Sequence, residues 1–143
     1  MCCLCFCFLA QNAIKVENVK CIVSNRFVGA DKKPVKWEIR GISSEEDEVL
    51  KKACTKRVPV QGKKGMFVPE TDYSLYVGKL AAACTVYPDL TNKELQDSYH
   101  VMGSDTLLKK MLNPGEYNDY LAKVQEVNGF DIDMNDLAEE AKN

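Results

Sequence analysis

The sequence predicts an α+β fold: one or two N-terminal β-hairpins followed by a cluster of four to five α-helices. Three observations predict it. Apolar and polar residues alternate with period two around Val19–Val23 and Val35–Ile39, the pattern of half-buried strands. From Ser43 onward, capping residues precede apolar positions spaced by three and four, the pattern of amphipathic helices. No internal repeat or low-complexity linker interrupts the chain, so these pieces belong to one small domain.

Val19, Cys21 and Val23 alternate with polar neighbours, as do Val35, Trp37 and Ile39. Gly29-Ala-Asp-Lys-Lys-Pro34 between them is rich in turn formers, so the runs read as an antiparallel hairpin over about residues 16–28 and 34–42. Ser43-x-x-Glu46 then has capping-box spacing. Glu45 to Glu48 are acidic and meet the positive end of a helix dipole, while Lys51 and Lys52 fall at the negative end. This charge order predicts a helix over about 44–54, with Val49, Leu50, Ala53 and Cys54 as its apolar stripe. Val58 to Pro69 reads as a shorter hairpin. Glycines bracket its tip, and prolines at both ends confine it to an edge or an excursion.

The remainder reads as helical. Thr71 is the expected cap of a helix carrying Tyr73, Tyr76, Val77, Leu80 and Cys84 and stopping before Pro88. Thr91-x-x-Glu94 predicts a short helix to about Tyr99, and Gly103 separates it from Ser104–Leu112. Asn113-Pro114 is an N-cap followed by proline at the first helical position. The helix it opens carries Tyr117, Tyr120, Leu121 and Val124 and stops at Asn128-Gly129. Three stretches result: an apolar, Cys-rich leader over residues 1–10 outside the fold, a domain over 11–130, and an acidic tail over 131–143. The tail has five acids against one lysine and is expected to be mobile or weakly helical.

Composition narrows the function. The chain has 143 residues, 45% hydrophobic and 28% charged, with a net charge of −2. Such a chain buries enough surface to fold without staples and carries no overall field suited to coating nucleic acid. Of seven cysteines, four (Cys2, Cys3, Cys5, Cys7) crowd the leader, while Cys21, Cys54 and Cys84 lie in apolar-periodic segments and read as small buried hydrophobes. An odd count without an N-x-[ST] sequon points to a reducing compartment. The leader is too short to span a bilayer and has no preceding Lys or Arg to make a signal peptide. Cys2-x-x-Cys5 lacks a second ligand pair for zinc.

Chemistry-bearing patterns are sparse. Cys54 or Cys84 with the single histidine, His100, is the only nucleophile–base combination, and no flanking signature or orienting group supports it. Asp131-x-Asp133-x-Asn135 opens like a calcium loop but places Asp136 and Lys142 where glycine and glutamate are required. The stretch Lys51–Lys64 has six basic residues and no acid, which supports an alternative reading as a small nucleic-acid-binding regulator. No cofactor motif is present, and no catalytic or metal-ligating residue is assigned. Protein binding fits best. Tyrosines concentrate between residues 73 and 120 and combine large contact area with a polar tip. The expected contact residues are Tyr73, Tyr76, Leu80, Tyr117, Tyr120, Leu121 and Val124. Taken singly, each tyrosine reads better as a core residue with a satisfied hydroxyl, and the binding reading rests on the set.

Five ordered blocks carry a resemblance: Val16-Glu-Asn-Val-Lys20, Pro34-Val-Lys-Trp-Glu-Ile-Arg40, Cys54-Thr-Lys-Arg-Val-Pro59, Leu95-Gln-Asp-Ser-Tyr-His-Val-Met-Gly103 and Leu108-Lys-Lys-Met-Leu-Asn-Pro-Gly-Glu-Tyr117. Together they resemble the XkdN-like tail assembly chaperones of phages and phage-like elements of Gram-positive bacteria, over about Phe8 to Phe130. The Cys-rich leader departs from that pattern. The resemblance implies a non-enzymatic protein of the bacterial host cytoplasm, absent from the mature particle. It implies binding to the tape measure protein before tail tube subunits polymerise. Tail tube protein, a frameshift-extended form of the chain itself and further copies of the chain are the other implied partners. No binding residues come with the resemblance, so the seven named above rest on the helical pattern alone.

Overall fold

The computed structural model describes residues 3–130. The elements run α1 (Cys3–Phe6), β1 (Val19–Cys21), β2 (Trp37–Ile39), α2 (Ser44–Ala53), β3 (Thr55–Pro59), β4 (Phe67–Thr71), α3 (Tyr73–Cys84), β5 (Thr85–Tyr87), α4 (Lys93–Ser98), α5 (Ser104–Met111) and α6 (Pro114–Val127). The architecture is α+β, with antiparallel strands concentrated towards the N-terminus and helices beyond them.

The first hairpin forms as the alternation predicts, with shorter strands. β1 pairs antiparallel with β2 in the register Val19↔Ile39 and Cys21↔Trp37, and Val28 bridges Pro34 near the turn. A third strand joins them. β5 pairs antiparallel with the other edge of β2, Ile39 facing Thr85 and Glu38 facing Tyr87 across a bulge. The predicted helix before Pro88 therefore ends at Cys84, and the next three residues become sheet edge. Trp37 and Ile39 are buried on the central strand.

α3 is the hub. It packs on α2, α5 and α6, and it buries Tyr76, Leu80, Ala81 and Cys84 against Leu107, Leu108 and Met111 of α5 and Tyr120 and Val124 of α6. Trp37 meets Tyr120 edge to face at 5.2 Å, which joins sheet to helices. Asn128 ties the far end. Its carbonyl accepts from the Ile42 N–H at 2.8 Å, and its amide donates to the Val124 carbonyl at 2.8 Å and to Cys84 Sγ at 3.3 Å.

Two caps differ in detail from the expectation. Ser43 caps α2 by accepting from the Glu46 N–H, as expected. α3 is capped by Asp72, which accepts from Leu75 N–H, because Thr71 is held in β4 opposite Thr55, their hydroxyls 2.8 Å apart. α4 is capped by Asn92, because both the hydroxyl and the N–H of Thr91 donate to Asp89. The apolar stripe of α2 is narrower than expected. Leu50 packs on the core and Cys54 is buried, but Val49 and Ala53 face solvent, since α2 lies on α3 alone among its larger contacts.

The second hairpin is an excursion. β3 and β4 pair only with each other, in the register Thr55↔Thr71 to Pro59↔Phe67. Phe6, Phe8 and Leu9 of the leader are exposed, and its first two residues lie outside the described residues. The acidic tail over 131–143, with the calcium-loop-like Asp131, Asp133 and Asn135, also lies outside them.

Candidate protein-binding surface

The seven expected contact residues fall into three groups. Tyr76, Leu80, Tyr120 and Val124 are buried in the core. The Tyr76 hydroxyl donates to the Asp47 carboxylate, and the Tyr120 hydroxyl bonds the Thr85 hydroxyl. Burial pushes both phenols up, and for Tyr76 the bond to Asp47 adds to it. These two tyrosines thus take the core role with satisfied hydroxyls. The reason is geometric: α3 is surrounded by α2, α5 and α6, so the stripe that sequence periodicity detects is the stripe that the fold covers. Tyr117 and Leu121 are half-buried and pack against the same core. Only Tyr73 stands open, at 64% exposure on the first turn of α3, with its ring edge to face on Tyr76.

Apolar surface is concentrated elsewhere. Met66, just before β4, and Phe67 and Val68 on β4 each retain about half of their exposure (53%, 53% and 47%). The Lys63-Lys64 tip lies beside them, between Gly62 and Gly65, both with positive φ. Of the basic stretch, Lys51 pairs with Asp47 at 3.2 Å and lies over the Tyr76 ring, and Lys56 faces Glu70 across the hairpin. A second feature is an apolar pocket of about 210 Å³ between β5 and α4, lined by Trp37, Tyr87, Leu95 and Tyr99 among others. The sequence does not reveal it, because its walls come from five separate stretches of the chain. The Tyr87-Pro88 pair was the available signal, an aromatic placed where a helix has to end.

The nucleophile–base combination is not assembled. Cys54 and Cys84 are buried, and burial raises both thiols, which disfavours the thiolate that nucleophilic chemistry needs. Cys84 Sγ is engaged by Asn128, while His100 is an exposed residue with positive φ just past α4. Among the described residues no group of three His, Cys, Asp or Glu side chains is placed to hold a metal ion, and no helix is long and apolar enough to cross a membrane.

Comparison with known proteins decides the family. Residues 7–142 match the profile of the phage XkdN-like tail assembly chaperone proteins. The chain belongs to that family. It is 32% identical to the phage-like element PBSX protein XkdN of Bacillus subtilis strain 168 over 137 residues, which is 95% of this chain and 91% of that protein. It is 34% identical to the protein YqbN of the same strain, over the same share of each. The fold superposes on the crystal structure of YqbN with a TM-score of 0.75 at 28% identity, covering 87% of this chain and 95% of that one. The five sequence blocks thus marked the family correctly, and the structural likeness extends it to the three-dimensional fold.

Proposed function

We propose that this tail assembly chaperone acts in the bacterial host cytoplasm, without catalysis, by holding the tape measure protein before the tail tube closes around it. The observation that carries the reading is the family match across nearly the whole chain. The physical need is clear. A long helical client exposes apolar stripes that aggregate in water, and a partner that covers them keeps the client available. Release onto the growing tail calls for many modest contacts rather than one tight site.

The client surface is proposed on the solvent side of α3 and α6, around Tyr73 and the exposed Ala122, with half-buried Tyr117 and Leu121 alongside. The buried Tyr76, Leu80, Tyr120 and Val124 support that surface from beneath. The acidic tail adds charge that keeps the complex soluble. Co-purification tests the surface. Tyr73→Asp with Ala122→Glu lowers the tape measure protein recovered with the tagged chaperone by about tenfold, the effect of roughly 1.4 kcal/mol. Unchanged recovery removes α3 and α6 as the surface.

A further inference from the structure

The β3–β4 hairpin is apolar on both faces and basic at its tip. Val58 and Val68 stand opposite each other on one face, and Phe67 stands opposite Pro59 on the other. Two-stranded hairpins are marginal alone, and exposed apolar surface of this kind marks an interaction site. The tip Gln61-Gly-Lys-Lys-Gly65 is open: a Cβ built on Gly62 or Gly65 would meet nothing within 4 Å.

The pocket between β5 and α4 has the complementary character. Phe27, Trp37, Tyr87, Leu95, Tyr99 and Met111 supply apolar walls around about 210 Å³, more than the roughly 150 Å³ cavity that accepts a benzene ring. Tyr87, Pro88 and Leu95 also line a wider outer groove whose rim carries Asp89 and Glu94 and no basic side chain. The Thr91 hydroxyl and N–H hold the Asp89 carboxyl below its ordinary range, so it is anionic at neutral pH.

The two features sit at opposite ends of α3. The hairpin leads into its N-terminus at Tyr73, and β5 starts at Thr85 directly after its C-terminus. Twelve helical residues separate these ends by about 18 Å. No hairpin residue lines the pocket in its own chain.

We infer that the hairpin of one copy docks in the β5–α4 groove of a second copy, Phe67 entering the apolar pocket while Lys63 and Lys64 face Asp89 and Glu94. Donor and acceptor are different surfaces, so the contact is heterologous. Each added copy leaves one free arm and one free groove, and the series closes as a ring or continues as an open helix. The inference concerns contacts between copies and does not depend on the identity of the client.

Two exposed-surface variants test it without a client present. Phe67→Ser disables the arm. Glu94→Lys with Ser98→Lys charges the groove rim, both positions being exposed on α4. Thermal melts establish that each variant folds. Sedimentation of the full chain from micromolar to millimolar concentration is expected to show mass rising beyond a dimer for the wild type and a monomer for each variant alone. An equimolar mixture of the two variants then forms a dimer and stops, because only one good arm and one good groove remain. A wild type that stays monomeric throughout overturns the inference, as does assembly unchanged by either variant. A mixture that stays monomeric overturns it too, since one good arm and one good groove would then have failed to pair; a groove variant that still associates by itself would mean that arms pair with arms. Retention of wild type but not Lys63→Glu/Lys64→Glu on a DNA duplex, without self-association, would assign the arm to nucleic acid instead.

Discussion

A Cβ built on Gly78 would lie 3.1 Å from the hydroxyl of Tyr117. α6 therefore lies against α3 where α3 has no side chain, and the phenol occupies the space. That hydroxyl is buried and finds no hydrogen-bond partner among the described residues, and burial pushes its ionisation to higher pH. An unpaired buried hydroxyl costs about 1–3 kcal/mol. Tyr117→Phe is expected to raise unfolding free energy by about 1 kcal/mol in denaturant titration. Gly78→Ala has a helix-propensity gain of roughly 1 kcal/mol set against crowding of the hydroxyl. Its effect is expected to be more favourable in the Tyr117→Phe background than alone, which a double-mutant cycle measures.

Much of this fold is legible in the sequence because its signals are local. Ser43, Asn113-Pro114 and Asn128-Gly129 punctuate helices by their own side-chain and backbone chemistry, and those boundaries stand in the structure. Val19–Val23 and Val35–Ile39 announce a hairpin by alternation. What local pattern does not carry is competition for the same group. Thr71 and Thr91 look like caps, but each is held by another partner, and the next residue takes the role. β5 is invisible because three residues directly after a helix have no period of their own. The candidate surface is the least legible part. Tyr76 and Tyr120 share the spacing of Tyr73 and Tyr117, and only the neighbours α5, α6 and the sheet decide which are covered.

Leu80 is 1% exposed at the centre of the helical core. Leu80→Ala removes buried methyl groups and leaves a cavity, at a cost of about 2–5 kcal/mol. That is a large share of the roughly 5–15 kcal/mol that holds a domain of this kind together. Thermal unfolding followed by circular dichroism checks it, with Tyr73→Ala as the exposed comparison that changes little.

Asn113 accepts from the Glu116 N–H at 2.8 Å, and the Glu116 carboxylate accepts from the Asn113 N–H at 3.1 Å. This reciprocal cap starts the helix that carries Tyr120 and Val124. Asn113→Ala is expected to cost about 1 kcal/mol in urea denaturation, and Asn113→Ser to recover most of it.

Glu116 gives the fold an acid-sensitive fastening. Ser24, the Asn113 N–H and Arg26 hold its carboxyl down to about 2, against an ordinary 4.5. Arg26 donates to Glu116 and to the Met111 carbonyl, both at 2.7 Å. The folded value lies below the unfolded one, so the contribution is complete above about 4.5 and is lost as pH falls towards about 2. Denaturation midpoints for the wild type are expected to fall through this window. Glu116→Gln starts lower at neutral pH and shows a shallower acid dependence, so the two curves converge at low pH.

Shielding of a helical client is the proposed role of this chain, and the solubility of that client is its most direct measure. The tape measure protein of the same element is expressed with and without this chain, and the soluble fraction is quantified after lysis. The account predicts a largely insoluble tape measure protein alone and a soluble complex of the two on co-expression. A tape measure protein that is equally soluble in both conditions, with none of it recovered bound to this chain, would contradict it.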